Sequence, residues 1–358
     1  MEKILVYALS ENFGGVEEYT LNLSRYNKNK DHKYGYIILG DHSPYEREMK
    51  DRKVEYFKIP KKRKLIQNIF CTYSLLKRLR TRYSVLYVNT SALGYIVPYL
   101  IAYSLGYKLV LHSHLDARST SSALKIMIHK FNYQILRTKI SNRLTCSKNA
   151  AKWMFGQDAE KAILIPNAVN LQRFRFSPKE RNYYREKLNI GDNKVIGNIG
   201  RLTYFKNQTF LLKLLKSMKN DNVKLLLVGD GEDKNKLLTY AEKLGVRSKV
   251  IFYGKTSAPE KLMNVMDCVV MPSIAEGFPV TLVEEQAAGL PCIVSTNITK
   301  EVDISHTLTF LSLKDPVEKW RKLILSKMNL DRYNNEEALK RGGFDVHTLE
   351  NKVYKYLR

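Results

Sequence analysis

Acidic residues are almost missing from one long stretch of this chain. Between Tyr56 and Gln157 the only one is Asp116, set against 18 Lys and Arg. The net charge is +25 over 358 residues, with 28 Lys and Arg against 13 Asp and Glu in residues 1–165, and 32 against 22 in residues 166–358. A field of this sign concentrates an anionic partner: lipid headgroups, nucleic acid or phosphorylated substrates. Solubility is the blander use of the same charge. Cysteine is scarce as well. Cys71, Cys146, Cys268 and Cys292 form no C-x-x-C and no metal-ligand spacing, which excludes a disulfide scaffold and a zinc module and fits buried thiols in a reducing compartment. Long apolar runs are lacking. The longest, "ALGYIVPYLIAYSLG" at 92–106, is too short to cross a bilayer and contains a proline, so a buried helix is expected there. No signal peptide opens the chain, because "MEKILVYALS" reads as a strand; a cytosolic protein is expected. The G-x-G-x-x-G fingerprint, internal repeats and low-complexity tracts are also absent.

What is present is a twofold alternation. A chain of 358 residues suits two domains, each able to bury a core. In the first half, strands are expected at 3–9, 34–39, 54–59, 84–88, 107–112 and 142–146, with helices between them, notably 16–27 and 65–80. In the second half strands are expected at 194–199, 223–228, 249–253, 267–271 and 291–294, with helices such as 232–244. Apolar strands alternating with amphipathic helices predict parallel sheets wrapped by helices, hence two doubly wound domains facing each other. The boundary is expected near "IPNAVNLQRFRFSP", giving domains of 1–168 and 169–340. A terminal segment, 341–358, has Val346, Leu349, Val353 and Tyr356 at helical spacing and needs an apolar surface to pack on.

In open α/β sheets ligands sit beyond the carboxyl ends of strands, and the unusual loops fall there. Gly14 and Gly15 follow the first strand and open a helix, allowing close backbone approach and N–H groups for an anion. "GRLTYFKN" carries Arg201 and Lys206, two cations able to clamp a diphosphate; a solvated basic loop is the other reading. Gly229, Gly231 and Gly254 can admit a base or ribose, or can simply make turns. His112 and His114 end a strand with no third ligand nearby, so a neutral imidazole over a polar substrate competes with a buried, hydrogen-bonded pair. In "EGFPVTLVEEQAAGLP" Glu276 and Glu284 stand eight apart. Carboxylates accept from paired hydroxyls such as those of sugars and ribose. Thr281 with Glu284 also reads as a capping box that would start a helix at Thr281. Residues 65–80 and 124–139 are amphipathic and basic, with Ile66, Ile69, Phe70 and Tyr73 on one face of the former. Such faces serve packing on a sheet or docking on an anionic membrane.

Taken together, Gly14-Gly15-Val16-Glu17, His112-Ser113-His114, "IPNAVNLQRF", "GRLTYFKN", "LLLVGDGED" and "MPSIAEGFPVTLVEEQAAGLPCIVS" resemble the retaining glycosyltransferases of family 4, nearest to enzymes that build bacterial capsular or exopolysaccharide units. The resemblance runs through nearly the whole chain. It implies the GT-B fold: two facing Rossmann-like domains, a deep cleft between them, and a C-terminal helix packed back on the first. It implies a nucleotide diphosphate sugar as donor, a UDP-sugar by family habit, with Glu276 by the donor sugar and Glu284 on the ribose. Arg201 and Lys206 would hold the diphosphate and stabilise the leaving group. Gly277, Phe278, Pro279, Val280 and Thr281 would line sugar and phosphate. Gly14 and Gly15 would belong to a closing loop, Gly231 and Lys255 to turns near the nucleotide, and His114 would stand beside the reacting sugar. No metal or other cofactor is implied. The acceptor would be a glycan or lipid-linked sugar at the inner face of the membrane. Where relatives often follow the second His with Asn, this chain has Leu115-Asp116. Two other readings remain: an inverting enzyme on the same fold with Asp116 as base, or a non-catalytic polyanion or nucleic-acid binder, for which the basic band lacks base-reading motifs.

Overall fold

The structure, a computed structural model, describes residues 3–11, 15–27, 33–114 and 122–357. The chain divides into two compact units, Met1–Ala168 with Gly343–Arg358, and Val169–Gly342. The first unit runs β1 (Lys3–Leu9), α1 (Gly15–Arg25), β2 (Lys33–Leu39), α2 (Glu46–Asp51), β3 (Glu55–Ile59), α3 (Leu65–Leu79), β4 (Val85–Thr90), α4 (Val97–Ser104), β5 (Lys108–Ser113), α5 (Ala123–Leu136), β6 (Ile140–Thr145), α6 (Lys148–Phe155) and β7 (Ile163–Leu164). The second runs α7 (Pro178–Lys187), β8 (Lys194–Ile199), α8 (Gln208–Ser217), β9 (Val223–Val228), α9 (Lys234–Lys243), β10 (Val250–Gly254), α10 (Pro259–Val265), β11 (Cys268–Met271), α11 (Val280–Ala287), β12 (Cys292–Ser295), β13 (Leu308–Leu311), α12 (Val317–Lys327) and α13 (Glu336–Arg341). The last helix, α14 (Val346–Leu357), belongs to the first unit.

Both sheets are parallel throughout and share one winding pattern. The first has the order β3-β2-β1-β4-β5-β6-β7, the second β10-β9-β8-β11-β12-β13. The central strands are buried on both faces, which is why they read as near-continuous apolar runs. Successive side chains then feed opposite layers. Leu5, Leu86, Val88, Leu109 and Leu111 pack under α3 to α6, while Ile4, Val6, Val85, Tyr87 and Val110 pack under α1 and α14. Val346, Leu349, Val353 and Leu357 of α14 are fully buried in that second layer, and Tyr34 donates to Glu350 Oε1 at 2.8 Å. A separate core built on Ile196, Leu225, Leu227 and Val270, with Trp320 at its side, holds the second unit.

Three expectations need correction. The run 92–106 is helical only over α4, because Pro98 lacks the N–H of a helix interior and fits only in the first turn, which leaves residues 91–96 as loop. Helix α11 begins at Val280, with Pro279 as N-cap and no side-chain capping bond, so Thr281 and Glu284 form no capping box. Proline pre-sets the entry to the helix one residue earlier, and Glu284 then lies beyond the third helical position that a capping box requires. Finally, α3 packs with Leu75, Leu76 and Leu79, whereas Ile66, Phe70 and Tyr73 stay in solvent, Ile66 and Phe70 at 73% and 70% exposure. The apolar core contact of this helix therefore comes from its C-terminal half, while its N-terminal half buries Asn68 and Thr72 and leaves Ile66 and Phe70 outside the core.

Candidate functional site

In the second unit the strand order reverses direction between β8 and β11, and at such a switch point the two loops beyond the strands part to form a crevice. The loop after β8 contains Arg201 and Lys206; the loop after β11 contains Glu276. The winding therefore places residues about 70 positions apart in the sequence side by side. Lys206 Nζ lies 2.6 Å from Glu276 Oε1, both side chains largely sheltered. Ser273 Oγ donates to the same Oε1 at 2.7 Å, and Ser295 Oγ in turn donates to the Ser273 carbonyl at 2.6 Å. The backbone underneath is stitched across the crevice. Ile274 N–H donates to Phe205 O (2.8 Å), and Asn207 Nδ2 donates to Pro272 O (3.0 Å). Asn207 adopts a left-handed conformation, φ 56°, which ends the Tyr204–Lys206 turn and starts α8. Arg201 leaves β8 with an exposed side chain that has no ion pair to a described residue, while Gln208 Nε2 fixes its carbonyl at 3.1 Å.

The neighbouring strand ends join the same row. Leu202 N–H donates to Asp230 O (3.1 Å), and Gly229 N–H to Gly254 O (2.9 Å). Gly229 and Gly231 are required by this knitting. A Cβ on Gly231 would stand 2.3 Å from Leu202 O, and one on Gly229, at φ +139°, 2.0 Å from Gly200 O. Their small size is thus explained by loop-to-loop contact before any ligand is considered. Lys255 is exposed just past β10. At the other side Phe278 and Pro279 are buried, Gly277 and Thr281 half-buried, and the first N–H groups of α11, at Val280 and Thr281, have no partner within the helix. Such a terminus favours an anion. Glu284 is half-buried one turn along.

The sequence reading missed Glu285. Its carboxyl is wholly buried and neither oxygen has a hydrogen-bond partner. Burial, with the charges of Glu284 and Glu276, raises its pKa well above the ordinary carboxylate range, and the nearby Lys206 only partly opposes this. It is a neutral acid next to the Lys206–Glu276 pair. Nothing in "VEEQ" distinguishes it from an exposed helical Glu, because burial depends on which face of α11 meets the sheet.

In the first unit His114 follows β5 and is only 3% exposed. Its Nδ1 lies 3.0 Å from Asn167 Oδ1 and its Nε2 2.8 Å from Asn89 Oδ1. The ring packs 4.7 Å from Tyr19 and 4.2 Å from His112. Burial lowers its pKa to about 4, against the hydrogen bond to Asn167 Oδ1, so the imidazole is neutral. A neutral ring donates once and accepts once. It therefore donates to only one of these two amide oxygens, and Asn89 Nδ2 has no partner among the described residues. His112 is a buried core residue, its Nδ1 2.6 Å from Tyr87 Oη and 3.2 Å from Tyr19 Oη. Sequence reading had no access to Tyr19, Asn89 and Asn167, which come from α1, β4 and the segment after β7. Gly15 is exposed at the start of α1. Gly14, Leu115 and Asp116 lie outside the described residues. Among the described residues no group of three His, Cys, Asp or Glu is placed to hold a metal ion.

Comparison with known proteins agrees with this architecture. EpsF of Bacillus subtilis, named a glycosyltransferase, is 34% identical over 250 residues, covering 66% of this chain and 65% of its own. The UDP-Gal:alpha-D-GlcNAc-diphosphoundecaprenol alpha-1,3-galactosyltransferase of Escherichia coli is 28% identical over 242 residues, 64% of this chain and 62% of that one. The chain thus spans a little under two thirds of the length of these relatives. The structure of Anabaena Alr3699/HepE in complex with UDP-glucose superposes with a TM-score of 0.83 at 19% identity, covering 100% of this chain and 99% of the other, and so shares the GT-B fold. Residues 13–173 match the family described as Glycosyltransferase Family 4, and residues 180–320 match Glycosyl transferases group 1. The gap between the two matches falls close to the division between the units, so that each unit carries its own match to a glycosyltransferase family.

Proposed function

We propose that this chain is a retaining, metal-independent glycosyltransferase that moves a sugar from a UDP-sugar to a lipid-linked or glycan acceptor in bacterial surface polysaccharide synthesis, working at the inner face of the membrane. The observation that carries the proposal is the Lys206–Glu276 pair at the switch point of the second unit, with Arg201 exposed on the same loop as Lys206. The second unit is the donor domain and the first the acceptor domain. Arg201 and Lys206 hold the donor diphosphate, with the N–H groups of Val280 and Thr281 and the main chain of Gly277, Phe278 and Pro279. As Lys206 turns to phosphate, Glu276 is freed to accept from sugar hydroxyls. Glu284, released from any capping box, accepts from the ribose. Gly14, Gly15, Gly231 and Lys255 are assigned supporting roles toward the nucleotide, and His114, held neutral, is the first unit's candidate to serve the reacting sugar.

In the reaction the bond from the anomeric carbon to the diphosphate oxygen breaks, and a bond to the acceptor oxygen forms on the same face. The acceptor proton passes to the departing phosphate oxygen. Fixed cations and amides stabilise the charge developing on that oxygen, which is ordinarily a dominant part of such catalysis. The pairing of UDP with a lipid-diphosphate acceptor is supported by the name of the E. coli relative, and UDP by the Anabaena complexes. No described helix is long and apolar enough to cross a membrane. Docking is supported instead by exposed Ile66 and Phe70 on α3 and by Leu124, Met127 and Phe131 on α5, within the acid-poor band.

The test is turnover. Arg201→Ala and Lys206→Ala are each expected to lower kcat by about 10²–10³, with a product of the same anomeric configuration as the donor and a rate unchanged by chelator. Near wild-type turnover in both variants removes the clamp; inversion at the anomeric carbon removes the front-face step.

A further inference from the structure

A second concavity lies within the first unit. Helices α5 and α6 border an open groove of about 610 Å³ whose walls are Ile126, Tyr133, Trp153, Met154 and Phe155, with exposed Lys130 at its lip. Lys152, also exposed, lines it from α6. A shallower groove of about 510 Å³ continues over α5 past Met127 and Phe131 and shares Ile126 and Lys130. No acidic side chain lines either one.

The floor is built and electrically quiet. His129 and Trp153 stack at 4.2 Å and 11°. His129 Nδ1 accepts from Leu93 N–H at 3.0 Å, so Nε2 carries the proton and donates to Trp153 O at 3.0 Å. Trp153 Nε1 donates to Ser91 O at 2.8 Å. Burial, aided by Lys130, lowers the His129 pKa against its bond to Trp153, so the ring is neutral. The polar atoms of both rings are used within the protein; His129 is buried beneath the stack, and half-buried Trp153 is the ring that offers apolar surface to a ligand. Ser91 and Leu93 belong to the loop leaving β4, the strand that carries Asn89, the partner of His114. The groove is thus anchored to the end of the sheet where the acceptor chemistry is placed.

We propose that this groove receives the polyprenyl chain of a lipid diphosphate, with Lys130 and Lys152 on the diphosphate, and so selects lipid-linked acceptors. The proposal rests on the glycosyltransferase reading above and names its acceptor subsite. A nucleic acid would use the lysines and leave the apolar floor uncovered; an uncharged lipid would do the reverse; only a chain carrying a compact anionic head uses both.

The probe is farnesyl diphosphate, titrated calorimetrically into the full chain, with farnesol and inorganic diphosphate as separate arms. Two variants at exposed positions spare the core: Lys130→Glu with Lys152→Glu, and Gln134→Trp, which fills the groove. The expected result is saturable binding of farnesyl diphosphate by the wild type, at least ten-fold weaker in each variant, with farnesol and diphosphate each weaker than the joined molecule. Thermal stabilisation by UDP stays the same in all three proteins. Equal affinity in wild type and variants overturns the proposal, as does failure of the wild type to bind farnesyl diphosphate while UDP still stabilises it. Absence of UDP stabilisation is the separate result that removes the glycosyltransferase reading, and this subsite with it.

Discussion

Lys206 and Glu276 neutralise each other in a sheltered crevice, and beside them Glu285 adds a carboxyl that cannot easily carry charge. A second carboxylate at this depth would cost desolvation with no hydrogen bond to offset it. The consequence is a defined pH dependence. Because the folded-state pKa of Glu285 is raised, its contribution to stability is fully present below the unfolded pKa of about 4.3. It is lost as pH climbs toward the folded value, since the unfolded chain ionises there and the folded chain does not. Glu285→Gln keeps the shape and cannot ionise. Its melting temperature is expected to match wild type near pH 4 and to exceed it increasingly as pH rises above the unfolded value, and a constant difference across that rise would refute a neutral Glu285. His114 has the opposite sign: its folded pKa of about 4 means stability held above about 6.5 and lost as pH falls between these values.

Among elements, the loops that follow β8 and β9 act as one piece because two glycines let their backbones touch. Gly229→Ala places a Cβ against the Gly200 carbonyl in a backbone conformation that side chains rarely adopt. We expect a loss on the order of 1–3 kcal/mol in urea unfolding, together with weakened UDP binding, because Arg201 leaves the displaced strand end. No change in either measurement would mean that the loops adjust independently. Helix α3 shows a different division of labour. The stripe legible in the sequence, Ile66, Ile69, Phe70 and Tyr73, has the periodicity of a core face, yet the core is made by Leu75, Leu76 and Leu79, and only the extent of the sheet decides which residues find a partner. Ile66→Ser with Phe70→Ser is expected to lower binding to anionic vesicles at least several-fold without lowering the melting temperature. Equal binding of wild type to neutral and anionic vesicles would count against docking.

At the scale of the whole molecule the chain returns to its beginning, with α14 completing the layer over β1, β2 and β4 of the first unit. Its Val346, Leu349, Val353 and Leu357 are fully buried, each worth about 1.5–3 kcal/mol as an upper estimate. Removal of residues 344–358 is therefore expected to leave the first unit unfolded or readily proteolysed while the second unit, with its own core, still resists; a truncated chain as stable as the full one would contradict this packing. The sequence by itself determined the class of fold and named candidates for the site: apolar runs and period-3.6 patterns are local, and Gly, Arg, Lys and Glu at strand ends are visible without coordinates. Only the tertiary structure decided that Lys206 meets Glu276, that Thr281 caps nothing, that His114 is held by Asn89 and Asn167, and that Glu285 is buried. Thr281 is decided by its neighbour Pro279, which starts the helix one residue earlier; the other three share one physical reason. Each depends on which strands lie side by side and which helix face meets the sheet, and those are set by the winding order of the whole sheet rather than by any neighbour along the chain.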